Sequence, residues 1–319
     1  MSTQKNIIPI IFATNNNYSM PLFVTITSIL KNANSNEFFE IFVLYDKKKL
    51  NEFNRSIIKL KNIQKKICSI DFIDISDFDF EKLPQTADCA HISKETYYRY
   101  AIPQLFKNYD KILYLDCDIV VKSSLKELFD TNIEEYYFAG VEDILSEDNK
   151  ARLGLGKYCN AGVMLLNLKK MREDNIEEKL FDYTMKNQDK ILWQDQDVMN
   201  VVMQDGIFCL PLTWNVQVFD WGNDSKFHKI INSAKIIHFV GCIKPWDIES
   251  KSIVKKEFYK YYNMAMPESL ILSFSRYSFR KLVYNIYKVL KFFRKQIIWY
   301  NQKTQTVIVF NKYSFDLKK

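Results

Sequence analysis

Short apolar runs alternate with helical patterns along the chain as far as Ala265. The first run, Ile7 to Ala13, is rich in β-branched residues and almost wholly apolar, as in a strand buried on both faces. The turn cluster Thr14 to Asn17 follows it. Similar runs predict strands at 40–45, 67–73, 111–115, 137–141, 163–167, 207–210 and 235–239, and the spacing predicts helices at 19–31, 51–62, 175–186 and 195–204. The alternation predicts an α/β fold in which helices flank a single mixed, mostly parallel sheet.

The C-terminal end of the chain differs in charge from the rest. The 319 residues carry a formal net charge of +7. The segment 276–319 contains eleven Lys or Arg and one acid, Asp316, so the chain before Arg276 is mildly acidic. The same segment contains eleven aromatic residues. This asymmetry predicts one domain at 1–266 and a separate basic, aromatic tail at 267–319.

The tail also has a helical pattern, with one apolar and one basic face. The apolar face consists of Phe279, Leu282, Val283, Ile286, Leu290, Phe293 and Ile297. Trp299 and Tyr300 follow, and such residues favour the membrane–water interface. We therefore predict an amphipathic helical tail that binds an anionic membrane surface, in a cytoplasmic protein held peripherally on the inner face of the membrane. The alternative is a helix packed on the body or in a dimer.

Several classes of protein are disfavoured. Apolar residues form 47% of the chain and charged residues 26%, which argues against disorder. No run of about 18 uncharged apolar residues occurs, so no transmembrane helix is expected, and the N-terminus does not resemble a secretory signal. The cysteines at 68, 89, 117, 159, 209 and 242 are widely spaced and form no CxxC motif, so we expect reduced, buried thiols. Gly154 and Gly156 lack the third glycine of a dinucleotide site and predict a flexible loop.

Two carboxylates at the end of one strand form the strongest candidate site. Asp116 and Asp118 follow the apolar run 111–115, and ligands of α/β sheets bind at the carboxyl ends of strands. Carboxylates so close together repel each other unless a cation joins them. Oxygen ligands suit Mg²⁺ or Mn²⁺, with phosphate oxygens filling the remaining positions. Two acids in a surface turn are the alternative, because this spacing is common.

Four other segments have both a functional and a structural explanation. His238, one of three histidines, ends the run 235–239 and can bind Mn²⁺, with Lys244 nearby for a phosphate; a hydrogen-bonded core histidine is the alternative. Asn160 lies in a polar turn before the run 163–167. Acids such as Asp195 are also favoured at a helix start by the helix dipole alone. Arg99 could face an anion or form a structural ion pair.

Six motifs in order resemble glycosyltransferase family 8. They are FATNNNY at 12–18, TYYR at 96–99, LYLDCD at 113–118, NAGV at 160–163, QDQD at 194–197 and HFVGCIKPW at 238–246. The resemblance covers about residues 7–265, and six weak motifs in one order are highly specific. The family comprises retaining, UDP-sugar-dependent transferases, including bacterial lipopolysaccharide galactosyl- and glucosyltransferases and glycogenin. It implies a GT-A fold and transfer of glucose or galactose to a glycan or lipid-linked acceptor.

The resemblance also implies roles for residues at the matched positions. The implied Mn²⁺ (or Mg²⁺) ligands are Asp116, Asp118 and His238. The implied UDP-sugar-binding residues are Ala13, Thr14, Asn17, Tyr18, Arg99, Cys117, Gly241 and Lys244, of which the first four hold uracil and ribose and the last two clamp the diphosphate. The implied residues around the sugar and its anomeric carbon are Arg99, Asp143, Asn160, Asp195 and Gln196. His91 falls where relatives place a mobile loop that closes over the donor. Some relatives have aspartates where this chain has Asn15 and Asn16, although an asparagine carbonyl can still accept from uracil.

The implied reaction keeps the anomeric configuration. The anomeric carbon becomes oxocarbenium-like as UDP leaves. No carboxylate is an obvious nucleophile and the amide of Gln196 is a poor one, which favours attack from the face of the leaving group over double displacement. Two alternatives to a transferase remain: a metal-dependent nucleotidyltransferase, which would need a Gly- and Lys-rich loop in place of Thr14 to Asn17, and a non-catalytic glycan- or membrane-binding module. No nucleic-acid-binding module is visible.

Overall fold

The computed structural model describes residues 5–49, 67–85, 92–220 and 225–265, together with strands at 298–301, 306–310 and 315–318. The chain forms two compact units, one made of Met1–Pro245 with Ser250–Ala265 and the other of Trp246–Glu249 with Met266–Lys319. The helices predicted at 51–62 and from 279 to 297 lie outside the described residues, and so does His91.

The first unit alternates strands and helices, as predicted. Its strands are β1 Asn6–Ala13, β2 Glu37–Tyr45, β3 Cys68–Asp74, β4 Lys111–Leu115, β5 Ile119–Val121, β6 Phe138–Glu142, β7 Cys159–Asn167, β8 Ile207–Cys209, β9 Val216–Val218 and β10 Ile236–Phe239. Its helices are α1 Ser19–Lys31, α2 Ile102–Leu105, α3 Lys126–Phe129, α4 Ser146–Leu153, α5 Leu168–Glu173, α6 Ile176–Lys186, α7 Gln194–Val202, α8 Ser225–Ser233 and α9 Lys255–Ala265. A 3₁₀ helix, Lys94–Ala101, contains Arg99.

The central sheet has seven strands in the order β3-β2-β1-β4-β7-β6-β8. Within the described part of the chain, β7 alone runs antiparallel to its neighbours β4 and β6, and the other adjacent pairs are parallel. The mixed, mostly parallel sheet flanked by helices is therefore confirmed. The apolar runs of β1, β4 and β7 are buried along almost their whole length, as central strands covered on both faces should be.

The prediction of a single sheet is wrong for the first unit. The strand β10, expected in the central sheet, instead pairs antiparallel with β5 and parallel with β9 in a separate three-stranded sheet. The strands β5 and β9 are three residues long, which is too short to give a periodic signal. This small sheet brings His238 beside the turn that follows β4, because His238 is opposite Ile119 in the register.

The buried helix α1 supports the turn that follows β4. Every residue from Pro21 to Leu30 is buried, so the helix has no solvent-facing side along this stretch. The hydroxyl of Thr25 lies 2.7 Å from the carbonyl oxygen of Cys117 and 2.8 Å from that of Ile119. The backbone N–H of Val121 donates to Ser28 Oγ at 2.9 Å. These bonds satisfy buried backbone groups and fix the path of the chain through Asp116 to Val121.

The second unit contains an antiparallel sheet of β11 Ile298–Asn301, β12 Thr306–Phe310 and β13 Phe315–Lys318. Trp299 and Tyr300, expected at the end of a helix, lie in β11. Aromatic and β-branched residues favour strands, which accounts for the difference. In the described part of the chain, no helix combines the length and apolarity needed to cross a membrane.

The cysteine and glycine predictions hold in part. Cys68, Cys117 and Cys159 are buried, whereas Cys209 and Cys242 are exposed, so burial was wrongly expected for these two, and Cys89 lies outside the described residues. Gly154 ends α4 in the left-handed conformation, with φ 69°, and thus caps a helix that the sequence analysis did not predict.

Candidate active site

The turns after β1, β4 and β10 and the start of α7 surround a cavity of about 430 Å³. This volume is typical of small-molecule sites. The predicted site residues that line it are Ala13, Thr14, Tyr18, Arg99, Asp116, Cys117, Asp118, Asp143, Asn160, Asp195, Gln196, His238, Gly241 and Lys244. The side chain of Asn17 is exposed and does not belong to the lining.

Asp116, Asp118 and His238 meet at one point of this cavity. Nε2 of His238 lies 3.4 Å from Oδ1 of Asp118 and 3.7 Å from Oδ2 of Asp116. One ligand atom of each residue lies within 4.8 Å of the other two. Ligands about 2.1 Å from a small divalent cation are separated by about 3 to 4 Å, so the donor set fits such an ion.

The absence of a side chain at Gly162 leaves room beside this cluster. A Cβ atom at Gly162 would lie 2.2 Å from Cε1 of His238 and 2.6 Å from Oδ2 of Asp116. The backbone of the same residue holds the cluster in place, because the N–H of Asp116 donates to the carbonyl oxygen of Gly162 at 2.8 Å. Glycine here thus permits the close approach of β7 to both ligands.

Each of the two carboxylates already has a cationic partner. Nζ of Lys244 lies 2.6 Å from Oδ2 of Asp118 and also donates to the carbonyl oxygen of Phe239 at 2.7 Å. NH2 of Arg99 lies 3.3 Å from Oδ1 of Asp116. Burial alone would raise the pKa of Asp118, but Lys244 and His238 together hold it below its ordinary value. The argument that the two acids require a metal ion because they repel each other is therefore incomplete.

Arg99 is buried at the centre of a polar network. Its Nε donates to the carbonyl oxygen of Thr96 at 2.9 Å and its NH1 donates to that of Ala161 at 2.6 Å. Its guanidinium lies 4.3 Å from the ring centre of Tyr114, a residue of β4 that the sequence analysis did not select. Arg99 forms structural ion pairs, and it also lines the cavity, where the binding of an anion stays a prediction.

Asp195 presents an unsatisfied oxygen in the same cavity. Its Oδ2 lies 3.0 Å from Nε of Arg99, yet this atom is buried and receives no hydrogen bond from the described residues. Burial raises the pKa of Asp195 to about 6, although Arg99 acts in the opposite direction. The preceding Gln194 has φ 46°, an uncommon value for a residue with a side chain, and such strain persists where the surroundings hold it. A buried carboxylate oxygen without a donor can accept a hydrogen bond from a ligand.

The amide of Gln196 is held on both sides. Its Oε1 accepts from Nδ2 of Asn160 at 3.1 Å and from the backbone N–H of Ala161 at 3.0 Å. Its Nε2 donates to Oδ2 of Asp143 and to the hydroxyl oxygen of Tyr158, each at 3.2 Å. The amide oxygen therefore has its lone pairs engaged by two donors.

The side-chain amide of Asn15 is used in local hydrogen bonds, so it has few donors or acceptors available for a ligand. Its Oδ1 accepts from the backbone N–H groups of Asn17 and Tyr18, which caps a short 3₁₀ helix. Its Nδ2 donates to Ser93 Oγ at 3.2 Å and to Glu95 Oε2 at 3.1 Å. The expectation that the Asn15 carbonyl accepts from a base is not supported by this geometry.

The sequence analysis missed Asn215 and Gln217. Asn215 is fully buried and contacts both His238 and Asn160. Gln217 lines the cavity and holds the loop after β6, because its Oε1 accepts from the N–H of Ile144 at 3.0 Å. Residues 215–218 alternate polar and β-branched residues, but a run of four is too short for this alternation to identify a strand.

Comparison with protein families and curated proteins gives one consistent result. The family model described as glycosyl transferase family 8 matches residues 9–249. A Haemophilus influenzae protein named as a glycosyltransferase is 31% identical over 246 residues, which cover 74% of this chain and 72% of that protein. The lipopolysaccharide 1,2-glucosyltransferase of Escherichia coli is 28% identical over 266 residues, covering 78% of this chain and 76% of the enzyme.

Solved structures agree in fold. The galactosyltransferase LgtC, in complex with donor and acceptor sugar analogs, matches with a TM-score of 0.66 and 24% identity, covering 81% of this chain and 96% of LgtC. The bifunctional glycosyltransferase WbbM matches with a TM-score of 0.63 and 28% identity, covering 82% of this chain and 50% of WbbM.

Proposed function

The chain belongs to glycosyl transferase family 8, and from this premise we propose that it is a retaining hexosyltransferase. In this proposal it moves glucose or galactose from a UDP-sugar to a glycan or lipid-linked acceptor. The observation that carries the proposal is the cluster of Asp116, Asp118 and His238 within a cavity that Asp195 also lines. The first group suits a metal–diphosphate, and the second suits a sugar hydroxyl.

Mn²⁺ or Mg²⁺ would be held by the two carboxylates and Nε2 of His238. The ligand spacing supports this assignment, and the lack of a side chain at Gly162 lets His238 and Asp116 lie close to β7. When bound, the ion would act as a Lewis acid on the diphosphate and stabilise the charge of the departing UDP. Lys244 and Arg99 contribute positive charge from the protein itself, and both side chains are buried, where such charge is most effective.

The nucleotide would lie on the turn that follows β1. Ala13, Thr14 and Tyr18 line this part of the cavity. The thiol of Cys117 donates to the carbonyl oxygen of Ala13 at 3.3 Å, which joins the nucleotide turn to the metal-binding turn. We assign no base contact to the side chain of Asn15, because its amide is already used. Gly241 has φ 83° and so allows the loop before Lys244 to turn towards the diphosphate.

The donor sugar would complete the hydrogen bonding of Asp195. One of its hydroxyl groups would donate to the carboxylate of Asp195, whose Oδ2 forms the ion pair with Arg99 at 3.0 Å but receives no hydrogen bond from the described residues. Asp143 plays a different part in this proposal. Its Oδ2 accepts from Nδ2 of Asn160 at 3.0 Å and from Nε2 of Gln196 at 3.2 Å, so it orients these two amides towards the sugar.

Retention would follow from attack on the same face as the leaving group. The amide oxygen of Gln196 accepts two hydrogen bonds, which weakens it further as a nucleophile. An oxygen of the β-phosphate would then take the proton of the acceptor hydroxyl while UDP departs. The enzyme incubated with UDP-sugar alone should show no added mass on Gln196 or Asp195. A sugar adduct that goes on to react with acceptor would exclude this mechanism.

The proposed activity is tested by UDP release from a panel of UDP-sugars with Mn²⁺. We expect slow hydrolysis of UDP-glucose or UDP-galactose, or of both, and faster UDP release when a suitable acceptor is added. The same reactions in excess EDTA serve as the control and should release much less UDP. If no UDP-sugar is hydrolysed or bound under these conditions, the transferase proposal fails.

Replacing Lys244 by alanine should weaken the binding of UDP and UDP-sugar to a similar degree. Both ligands carry the diphosphate, and Nζ of Lys244 lies beside the metal-ligand candidate Asp118. Isothermal calorimetry with Mn²⁺ present measures both affinities. Lys122→Ala is a matched control, because Lys122 donates to the carbonyl oxygen of Ile231 and does not line the cavity. An unchanged UDP affinity in Lys244→Ala would remove Lys244 from the diphosphate site.

The basic tail is proposed to bind an anionic membrane surface. The support is its charge, with eleven Lys or Arg against one acid in the segment 276–319. Each basic residue near such a surface contributes about 1 kcal/mol at low salt. In liposome flotation, the full-length protein should float with anionic vesicles at low salt and remain unbound to neutral ones. A protein truncated after Ser275 should not float. If the truncated protein floats equally well, or the full-length protein does not float at all, the tail has another role.

A further inference from the structure

A buried asparagine joins the candidate metal site to the amides at the sugar end of the cavity. Asn215 is fully buried between β9 and the short helix that precedes it. Its Oδ1 lies 3.1 Å from Nδ1 of His238. Its Nδ2 donates to Oδ1 of Asn160 at 2.9 Å. No other described side chain contacts both His238 and Asn160 through hydrogen bonds.

A series of hydrogen bonds runs from Asp143 through Asn160 and Asn215 to His238. The donor and the acceptor of each bond follow from the groups at the Asn160 end. Nδ2 of Asn160 donates to Oδ2 of Asp143 at 3.0 Å. The backbone N–H of Gly162 can only donate, and it points at the other end of the same amide, which must be the oxygen. Asn160 therefore presents its Oδ1 to Asn215. Asn215 must therefore donate to that oxygen through its NH₂ group, so its own oxygen faces His238.

The orientation of Asn215 decides which nitrogen of His238 carries a proton. Since an amide oxygen only accepts, Nδ1 of His238 must be protonated. Nε2 is then the nitrogen that remains for a cation, and it is the one that faces Asp116 and Asp118. A histidine that binds a metal through one nitrogen is commonly held through the other by such a partner, which sets its tautomer and ring orientation.

We propose that Asn215 is a positioning residue that holds His238 in the tautomer able to bind metal through Nε2 and links that ligand to Asn160. The proposal rests on the function proposed above. Asn215 touches neither donor nor metal in this view, because it does not belong to the cavity lining. It acts through the two residues that do, Asn160 and His238.

The first test is the affinity for Mn²⁺ alone, measured from the loss of the free-ion signal in electron paramagnetic resonance. Asn215→Ala removes both bonds and should raise the dissociation constant roughly 10- to 100-fold. Asn167→Ala is the matched control, because Asn167 is also a buried amide with several hydrogen bonds but lies outside the cavity. It should lose stability without losing affinity for Mn²⁺. Equal affinity in Asn215→Ala and the native protein would overturn the proposal.

Asn215→Asp separates the two halves of the proposal. The carboxylate still accepts from Nδ1 of His238, so Mn²⁺ affinity should remain close to native. It can no longer donate to Oδ1 of Asn160, so transfer should slow although Mn²⁺ and UDP still bind. A loss of Mn²⁺ affinity as large as in Asn215→Ala would overturn the tautomer role. Unchanged transfer would overturn the link to Asn160.

A measurement on the native protein needs no variant that might unfold. The ¹⁵N chemical shifts of the three histidines distinguish protonated from unprotonated ring nitrogens, and His238→Gln identifies the signals of His238. The metal-free protein should show a protonated Nδ1. An unprotonated Nδ1 would overturn the proposal. If the native protein bound no Mn²⁺ while Nδ1 proved protonated, the metal assignment would fail and the hydrogen-bond chain would stand.

Discussion

Asp118→Asn is expected to reduce sugar transfer by roughly a thousandfold. A metal ion in such a site stabilises the transition state by several kcal/mol, and each ~1.4 kcal/mol corresponds to a factor of ten in rate. Asparagine keeps the shape of the side chain but removes the charge that faces both His238 and Lys244. The measurement is the initial rate of UDP release with acceptor and saturating Mn²⁺, at a temperature where the variant remains folded.

The matched control is Asp74→Asn. Asp74 also forms an ion pair with a lysine, at 2.8 Å from Lys47, but it lies outside the cavity. Its loss should leave the rate unchanged. Because Asp118 is buried and paired, its replacement is also expected to lower the melting temperature of the metal-free protein, by more than the replacement of Asp74. Native rates in Asp118→Asn, or undiminished native activity in excess EDTA, would refute the metal assignment.

Gly162→Ala is expected to abolish Mn²⁺ binding and transfer together. The added Cβ would lie 2.2 Å from the ring of His238 and 2.6 Å from Oδ2 of Asp116, closer than non-bonded atoms can approach. The clash cannot be relieved at small cost, since β7 is hydrogen-bonded on both sides and the ring of His238 is buried. Mn²⁺ titration by electron paramagnetic resonance and the UDP-release assay measure the two losses.

Gly156→Ala is the matched control for this substitution. A Cβ at Gly156 meets no atom within 4 Å, so the same chemical change should affect neither metal binding nor transfer. If Gly162→Ala bound Mn²⁺ with native affinity, the ion could not occupy the space between Gly162, Asp116 and His238. The metal centre would then have to be sought elsewhere in the cavity.

Two elements could be predicted to the residue, whereas β7 begins at Cys159 and not at the predicted Val163, so Asn160 lies in the strand and not in a turn before it. The prediction for β4, 111–115, coincides with the observed strand, and that for α1, 19–31, coincides with the helix. The helix α1 is long enough, and the strand β4 is apolar enough, for the sequence pattern to be unambiguous. The short elements β5 and β9 and the polar helix α4 gave no such signal. The second sheet was missed because its existence depends on the pairing of β5 with β10, two segments that lie far apart in the sequence.

The sequence by itself determined the residue types of the site and the strand ends on which they lie. Acids after β4 and a histidine at the end of β10 are candidate metal ligands by their chemistry, and the order of six motifs identifies the family. This information is local, since each motif is a short run whose chemistry does not depend on the rest of the chain.

Only the tertiary structure decided how those residues are paired. Lys244 forms an ion pair with Asp118, and Arg99 forms ion pairs with Asp116 and Asp195. The amide oxygen of Gln196 accepts two hydrogen bonds. The tertiary structure also placed Asn215 against His238, 23 positions away in the sequence. Ion pairs and hydrogen bonds depend on distances of a few tenths of an ångström and on the direction of each donor. Such distances arise from the pairing of β5, β9 and β10 with one another and from the packing of β5 against α1, which no run of residues encodes alone.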